Sequence, residues 1–123
     1  MNSFNELLEK VGKDADNPEH KSLFWIISQN KTFYKRAQQI YDFEANTIIP
    51  ECLVEDSFST SEKAMLRLAF NLYNGLMSHN NDVADIFSVL DDHNFEICIE
   101  AIRIRFNKQR WKCWRYSHLR YRY

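Results

Sequence analysis

Glycine and proline are nearly missing from this sequence, each occurring only twice in 123 residues. Hairpin-rich β architectures draw on both for their turns, so a sandwich or barrel is not expected. Two glycines also leave no phosphate-cradling loop, and neither G-x-S-x-G nor H-E-x-x-H occurs. Cysteine is sparse too. Cys52, Cys98 and Cys113 make an odd count with no C-x₂-C spacing, which reads as free thiols in a cytoplasmic protein. No stretch approaches the roughly 20 apolar residues of a membrane span. The opening M-N-S-F-N-E-L-L-E-K lacks the basic region and apolar run of a secretory signal.

What is present points to a packed core. Hydrophobic residues make up 45% and aromatics 15%, too many for a disordered chain. The net charge of −1 conceals an asymmetry. Residues 1–102 set eight lysines and arginines against all 17 acids, a net of −9. Residues 103–123 hold the other eight bases and no acid, a net of +8. An acidic body thus carries a basic, aromatic tail.

Helical periodicity recurs in about six segments. The stretch Ser59 to Gly75 is the expected centre. Ser59 and Glu62 form an S-x-x-E capping box, and Met65, Leu66, Leu68, Ala69, Phe70, Leu72 and Tyr73 cover most of the circumference. Lys63, Arg67, Asn71 and Asn74 form a narrow polar stripe, and Gly75 suits a left-handed stop, with Leu76 folding back in a Schellman motif. Before it, a first helix spans Ser3 to Val11 and ends at Gly12. A second is capped by Asn17, starts at Pro18 and carries the apolar run Leu23 to Ile27. A third starts at Asn30 or Thr32, with Phe33, Ala37, Ile40 and Tyr41 on one face.

From Asp42 to Phe58 the periodicity is lost, and five acids crowd a connection pinned by Ile48, Ile49 and Leu53. A fifth helix, about Asp82 to Leu90 and capped by Asn80 or Asn81, points Val83, Ile86, Phe87 and Leu90 inward. The sixth begins near Asp92 to Asn94. Its spacing puts Phe95, Cys98, Ile99, Ile102 and Phe106 inward, opposite Glu96, Glu100, Arg103 and Asn107. The expected fold is therefore all-α: a single compact domain, residues 1–106, of about six helices around a central buried helix. Residues 107–123 form a basic aromatic C-terminal extension.

The strings L-F-W-I-I-S-x-N (23–30), Y-D-F (41–43), I-x-P-E-C-L (48–53), L-x-F-N-L-Y-N-G (68–75) and E-A-I-R-I-R-F (100–106) resemble a small uncharacterised domain family of Firmicutes chromosomes, integrative elements and phages. The resemblance spans about Phe4 to Phe106. It brings no activity and no functional residues, and what it implies is a mobile-element or prophage setting.

The candidate chemistry is thin. His20, His79, His93 and His118 show no metal-ligand spacing with the cysteines, so neither metal nor cofactor is expected. Cys52 with His79 is the one nucleophile–base pairing to weigh, and an undetected enzyme ranks third among the readings. The aromatic group Phe24, Trp25, Phe33 and Tyr34 reads as core, and the acids of 42–56 as a solvated connection before an acidic docking loop. The tail is the exception. It interleaves Arg110, Trp111, Trp114, Arg115, Tyr116 and Arg120, residue types that recur in protein-interface hot spots and on single-stranded nucleic acid. Docking of the tail on its own acidic body is the structural alternative. The sequence therefore favours a non-enzymatic module that binds a protein partner; nucleic acid, bound through the tail, is the competing partner, and self-association stays open.

Overall fold

A computed structural model of the protein describes residues 3–54, 57–77 and 81–109. Among them run seven α-helices: α1 (Ser3–Val11), α2 (Pro18–Ser28), α3 (Lys31–Lys35), α4 (Ala37–Ile40), α5 (Thr60–Asn74), α6 (Val83–Phe87) and α7 (Asp92–Phe106). Two strands of two residues, β1 (Tyr41–Asp42) and β2 (Thr47–Ile48), pair antiparallel between α4 and α5. The fold is all-α in substance, as the periodicity predicts.

The helix starts follow their caps. Asn17 accepts from the Glu19 N–H at 3.1 Å with Pro18 at the first helical position. Asn30, not Thr32, caps α3 and accepts from Phe33 at 2.9 Å. At α5 both halves of the capping box are made, Ser59 Oγ to Glu62 N–H and Glu62 Oε1 to Ser59 N–H. Gly75 is left-handed at φ +78°, but the helix closes with a single bond from its N–H to the Asn71 carbonyl. The expected Schellman motif is absent there because the Leu76 N–H is taken by the Asn74 side chain. A full Schellman motif instead ends α7: Lys108 N–H meets the Arg103 carbonyl at 2.9 Å, and Asn107 N–H the Ile104 carbonyl at 3.4 Å.

Four expectations are corrected. The third helix is broken at Arg36 into α3 and α4, although Phe33, Ala37, Ile40 and Tyr41 are all buried as expected. The segment after it is built rather than loose. Asp42 Oδ1 accepts the N–H groups of Glu44 and Ala45, and Asn46 takes the left-handed conformation at φ 57°, so a hairpin closes without glycine. A 3₁₀ turn at Pro50–Val54 follows and buries Cys52, while Ile49 and Leu53 stay partly exposed. Third, α6 is only five residues long and capped by Asp82, and its Val83 is 73% exposed rather than inward.

The fourth correction concerns which helix is central and which face of α7 is buried. Helix α5 is deeply buried, with Leu68 and Leu72 each 7% exposed, and Lys63, Arg67 and Asn71 form its partly exposed stripe. Yet α2 is the hub, packing against α1, α3, α5 and α7 through Leu23, Phe24, Ile26 and Ile27. Helix α7 meets it with Ile97, Cys98 and Ala101, leaving Phe95 and Phe106 exposed. That face lies about a third of a turn from the expected one. The small Cys98 and Ala101 let the helices approach closely, and the Trp25 indole N–H donates to the Ile97 carbonyl at 3.1 Å.

Candidate interaction surface

Two features stand apart from routine packing: a polar cluster inside the core and an apolar ridge outside it. The cluster joins four elements. His20 on α2, Tyr41 on β1, Tyr73 on α5 and Asn46 in the hairpin turn meet, with Tyr41 Oη 3.2 Å from both His20 Nε2 and Tyr73 Oη. Tyr73 also reaches the Asn46 carbonyl at 3.2 Å, and Asn46 Nδ2 donates to Asp14 Oδ2 at 2.7 Å.

The donors and acceptors fix one arrangement. With Asn46 Nδ2 committed to a carboxylate, its Oδ1 faces Tyr41 and accepts that hydroxyl's only proton. Tyr41 oxygen therefore accepts from His20, which places the ring proton on Nε2. His20 Nδ1 is buried with no hydrogen-bond partner among the described residues. Burial, then the bond to Tyr73, raises the Tyr41 pKa well above the ordinary phenol value, so the hydroxyl stays protonated. The cluster is a clasp that pins the hairpin to α2 and α5.

Sequence reasoning treated His20 as one of four scattered histidines and missed it here. The signal was its spacing: Leu23, Phe24 and Ile27 follow it at i+3, i+4 and i+7 on the same face of α2. The two described cysteines are buried. Cys52 is 1% exposed, Cys98 is fully buried, and burial pushes the Cys98 thiol up to about 12. His79 lies outside the described residues, as do Glu55 and Asp56 of the acidic segment. Among the described residues no three His, Cys, Asp or Glu side chains group as metal ligands. No described helix is long and apolar enough to cross a membrane. An open depression of about 560 Å³ beside the hairpin is lined by Lys10, Gln38, Asp42, Phe43 and Glu44. Its floor is Phe43, stacked on Phe24 with the Lys10 ammonium 5.2 Å above the ring, and Asp42 is occupied in its turn.

Six large apolar side chains are exposed among the described residues, and five of them, Met77, Val83, Val89, Phe95 and Phe106, fall within 77–106. Phe87 and Phe95 join α6 to α7 edge to face at 5.5 Å. The same segment is acidic: Asp82, Asp85, Asp91, Asp92 and Glu96 are exposed, and no lysine or arginine occurs between Asn81 and Ile102. Asp82 and Asp91 are helix caps, which explains their position. The tail residues Arg110, Trp111, Trp114, Arg115, Tyr116 and Arg120 all lie outside the described residues.

Fold and surface together define a small helical domain with a segment, 77–106, that exposes both acidic and apolar side chains. The chain matches the family of unknown function DUF6075 over residues 1–116 and belongs to it. That span runs past Phe106, so the basic aromatic segment begins within the family's own length. No match was found among curated proteins or among solved structures.

Proposed function

We propose that this protein is a small non-enzymatic interaction module that binds another protein through the α6–α7 ridge, with Arg110, Trp111, Trp114, Arg115, Tyr116 and Arg120 as a second contact element. The observation that carries the reading is the concentration of exposed apolar side chains on 77–106, set among exposed carboxylates. Exposed apolar groups gathered in one region and rimmed by polar ones mark interaction sites, protein interfaces among them. A bacterial cytoplasmic setting, encoded by a mobile element or phage and acting on a host or defence protein, extends this reading from the family resemblance.

The test is affinity capture with the full chain, run beside Val83→Asp and Phe95→Asp. We expect a protein retained at high salt, insensitive to nuclease, and lost from both variants. Capture of nucleic acid instead would carry a salt signature, log K falling with log salt at a slope of about −0.7 per phosphate contacted on a single strand. That result, unaffected by the ridge variants, would replace the protein-binding reading with nucleic-acid binding through the tail.

A further inference from the structure

We infer that the C-terminal segment Arg110–Tyr123 docks along the outer stripe of α7 in the free protein, covering the ridge that a partner must use. This rests on the ridge being the contact face and adds its regulation. Phe95, Ile99, Ile102 and Phe106 recur at i, i+4, i+7 and i+11, so they line one side of α7. That side is turned away from Ile97, Cys98 and Ala101, although Ile102 on it packs partly against the core. Phe95 and Phe106 are 40% and 52% exposed, and Ile99 and Ile102 are half-buried.

Geometry brings the segment to this stripe. The left-handed Asn107 and the Schellman bonds turn the chain off the helix axis one residue after Phe106, at the stripe's end. From Phe106 back to Phe95 the helix rises about 16 Å. Fourteen residues span about 21 Å as a helix and up to about 46 Å extended, so the stripe is within reach in either form.

Charge and composition match as well. Glu96 lies beside the stripe, with Asp91 and Asp92 at its far end; Glu100 is paired with Arg103 at 3.7 Å, and the Arg105 guanidinium lies 5.0 Å over the Phe106 ring at the near end. The segment brings Arg110, Lys112, Arg115, Arg120 and Arg122, no acid, and the tryptophans Trp111 and Trp114. A second copy offers the same chemistry, but a tether this short holds the segment at a millimolar effective concentration, far above that of a partner copy in dilute solution. Attachment within one chain is therefore favoured.

A nitroxide on Cys113 of the full chain tests this, since Cys52 and Cys98 are buried and shielded from the reagent. We expect the label to broaden the amide signals of Phe95, Ile99 and Ile102 far more than those of α1 or α3, and raised salt to weaken the effect. Phe95→Asp and Glu96→Lys, both at exposed positions, should each abolish the preference while the melting curve stays that of the parent. Broadening spread evenly over the surface, or retained in both variants, overturns the proposal. So does broadening that arises only between labelled and isotopically enriched copies in a mixed sample, which would make the occupant a second copy. No partner is present in this experiment, so its failure leaves the capture result on the ridge standing, and the converse.

Discussion

Arg105 Nε donates to the main-chain carbonyl of Leu72 across a sequence gap of 33 residues, at 2.7 Å. Leu72 lies in the last turn of α5, where carbonyls have no partner within the helix. One guanidinium thus completes a helix end from a different helix, and its other arm lies 3.8 Å from Glu19 in the first turn of α2. The three long helices of the core converge on this side chain.

Arg105→Met should therefore destabilise the protein by about 1.5–3 kcal/mol, the range for a hydrogen bond from a charged donor. Glu19→Gln should cost no more than about 0.5 kcal/mol, because the ion pair is long and partly exposed. Urea unfolding of the two variants and their double mutant separates the contributions. Equal losses for both singles would show that the ion pair, and not the carbonyl bond, holds α7 in place.

The clasp around Tyr41 is expected to be more sensitive than its small size suggests. Tyr41→Phe removes the donor to the exposed Asn46 and the acceptor for the buried His20, and the weakened pairing of His20 should cost about 1–3 kcal/mol. Asn46→Gly keeps the left-handed backbone and loses only the side chain. Asn46→Ala should be worse by about 1 kcal/mol, the penalty of a Cβ in that conformation. Denaturation midpoints with unchanged slopes would check the order, and Ala matching Gly would contradict it.

Apolar positions on the same sequence pattern should divide sharply. Truncating Leu68 or Leu72 to alanine should cost about 2–5 kcal/mol. Val83→Ser should stay within about 0.5 kcal/mol because that side chain is already in water. Thermal melts of the three variants decide the matter. A large loss at Val83 would place α6 deeper than it is described.

Alkaline pH should weaken the fold. The Cys98 thiol holds its proton up to about 12 when buried, against about 8.5 in an unfolded chain. Between those values the unfolded state binds fewer protons than the folded one, so stability falls as pH rises. Tyr41, raised by burial, works in the same direction at still higher pH. The contribution is complete below about pH 8 and lost on approach to pH 12. Melting curves at neutral and alkaline pH, compared with Cys98→Ala, should show a smaller alkaline loss in the variant.

Much of the architecture is local and could be read from the chain. Asn17 with Pro18, Asn30, and Ser59 with Glu62 define helix starts because a cap needs only neighbours two or three residues away. The scarcity of glycine and proline correctly foretold a helical fold. It did not forbid a single hairpin, since Asp42 and Asn46 supply the turn by side-chain bonding and left-handed backbone instead.

What the chain alone left undecided was orientation. Helix α7 has apolar residues around most of its circumference, so periodicity cannot choose between the Phe95–Phe106 side and the Ile97–Ala101 side. Contact with α2 chooses, because Cys98 and Ala101 permit close approach and the Trp25 N–H requires an acceptor. The same holds for His20, whose meaning depends on Tyr41, Asn46 and Tyr73 arriving from elements 21 to 53 residues away. Caps and turns are set by neighbours along the chain; which face is buried and which polar groups meet are set by the partners that tertiary packing delivers.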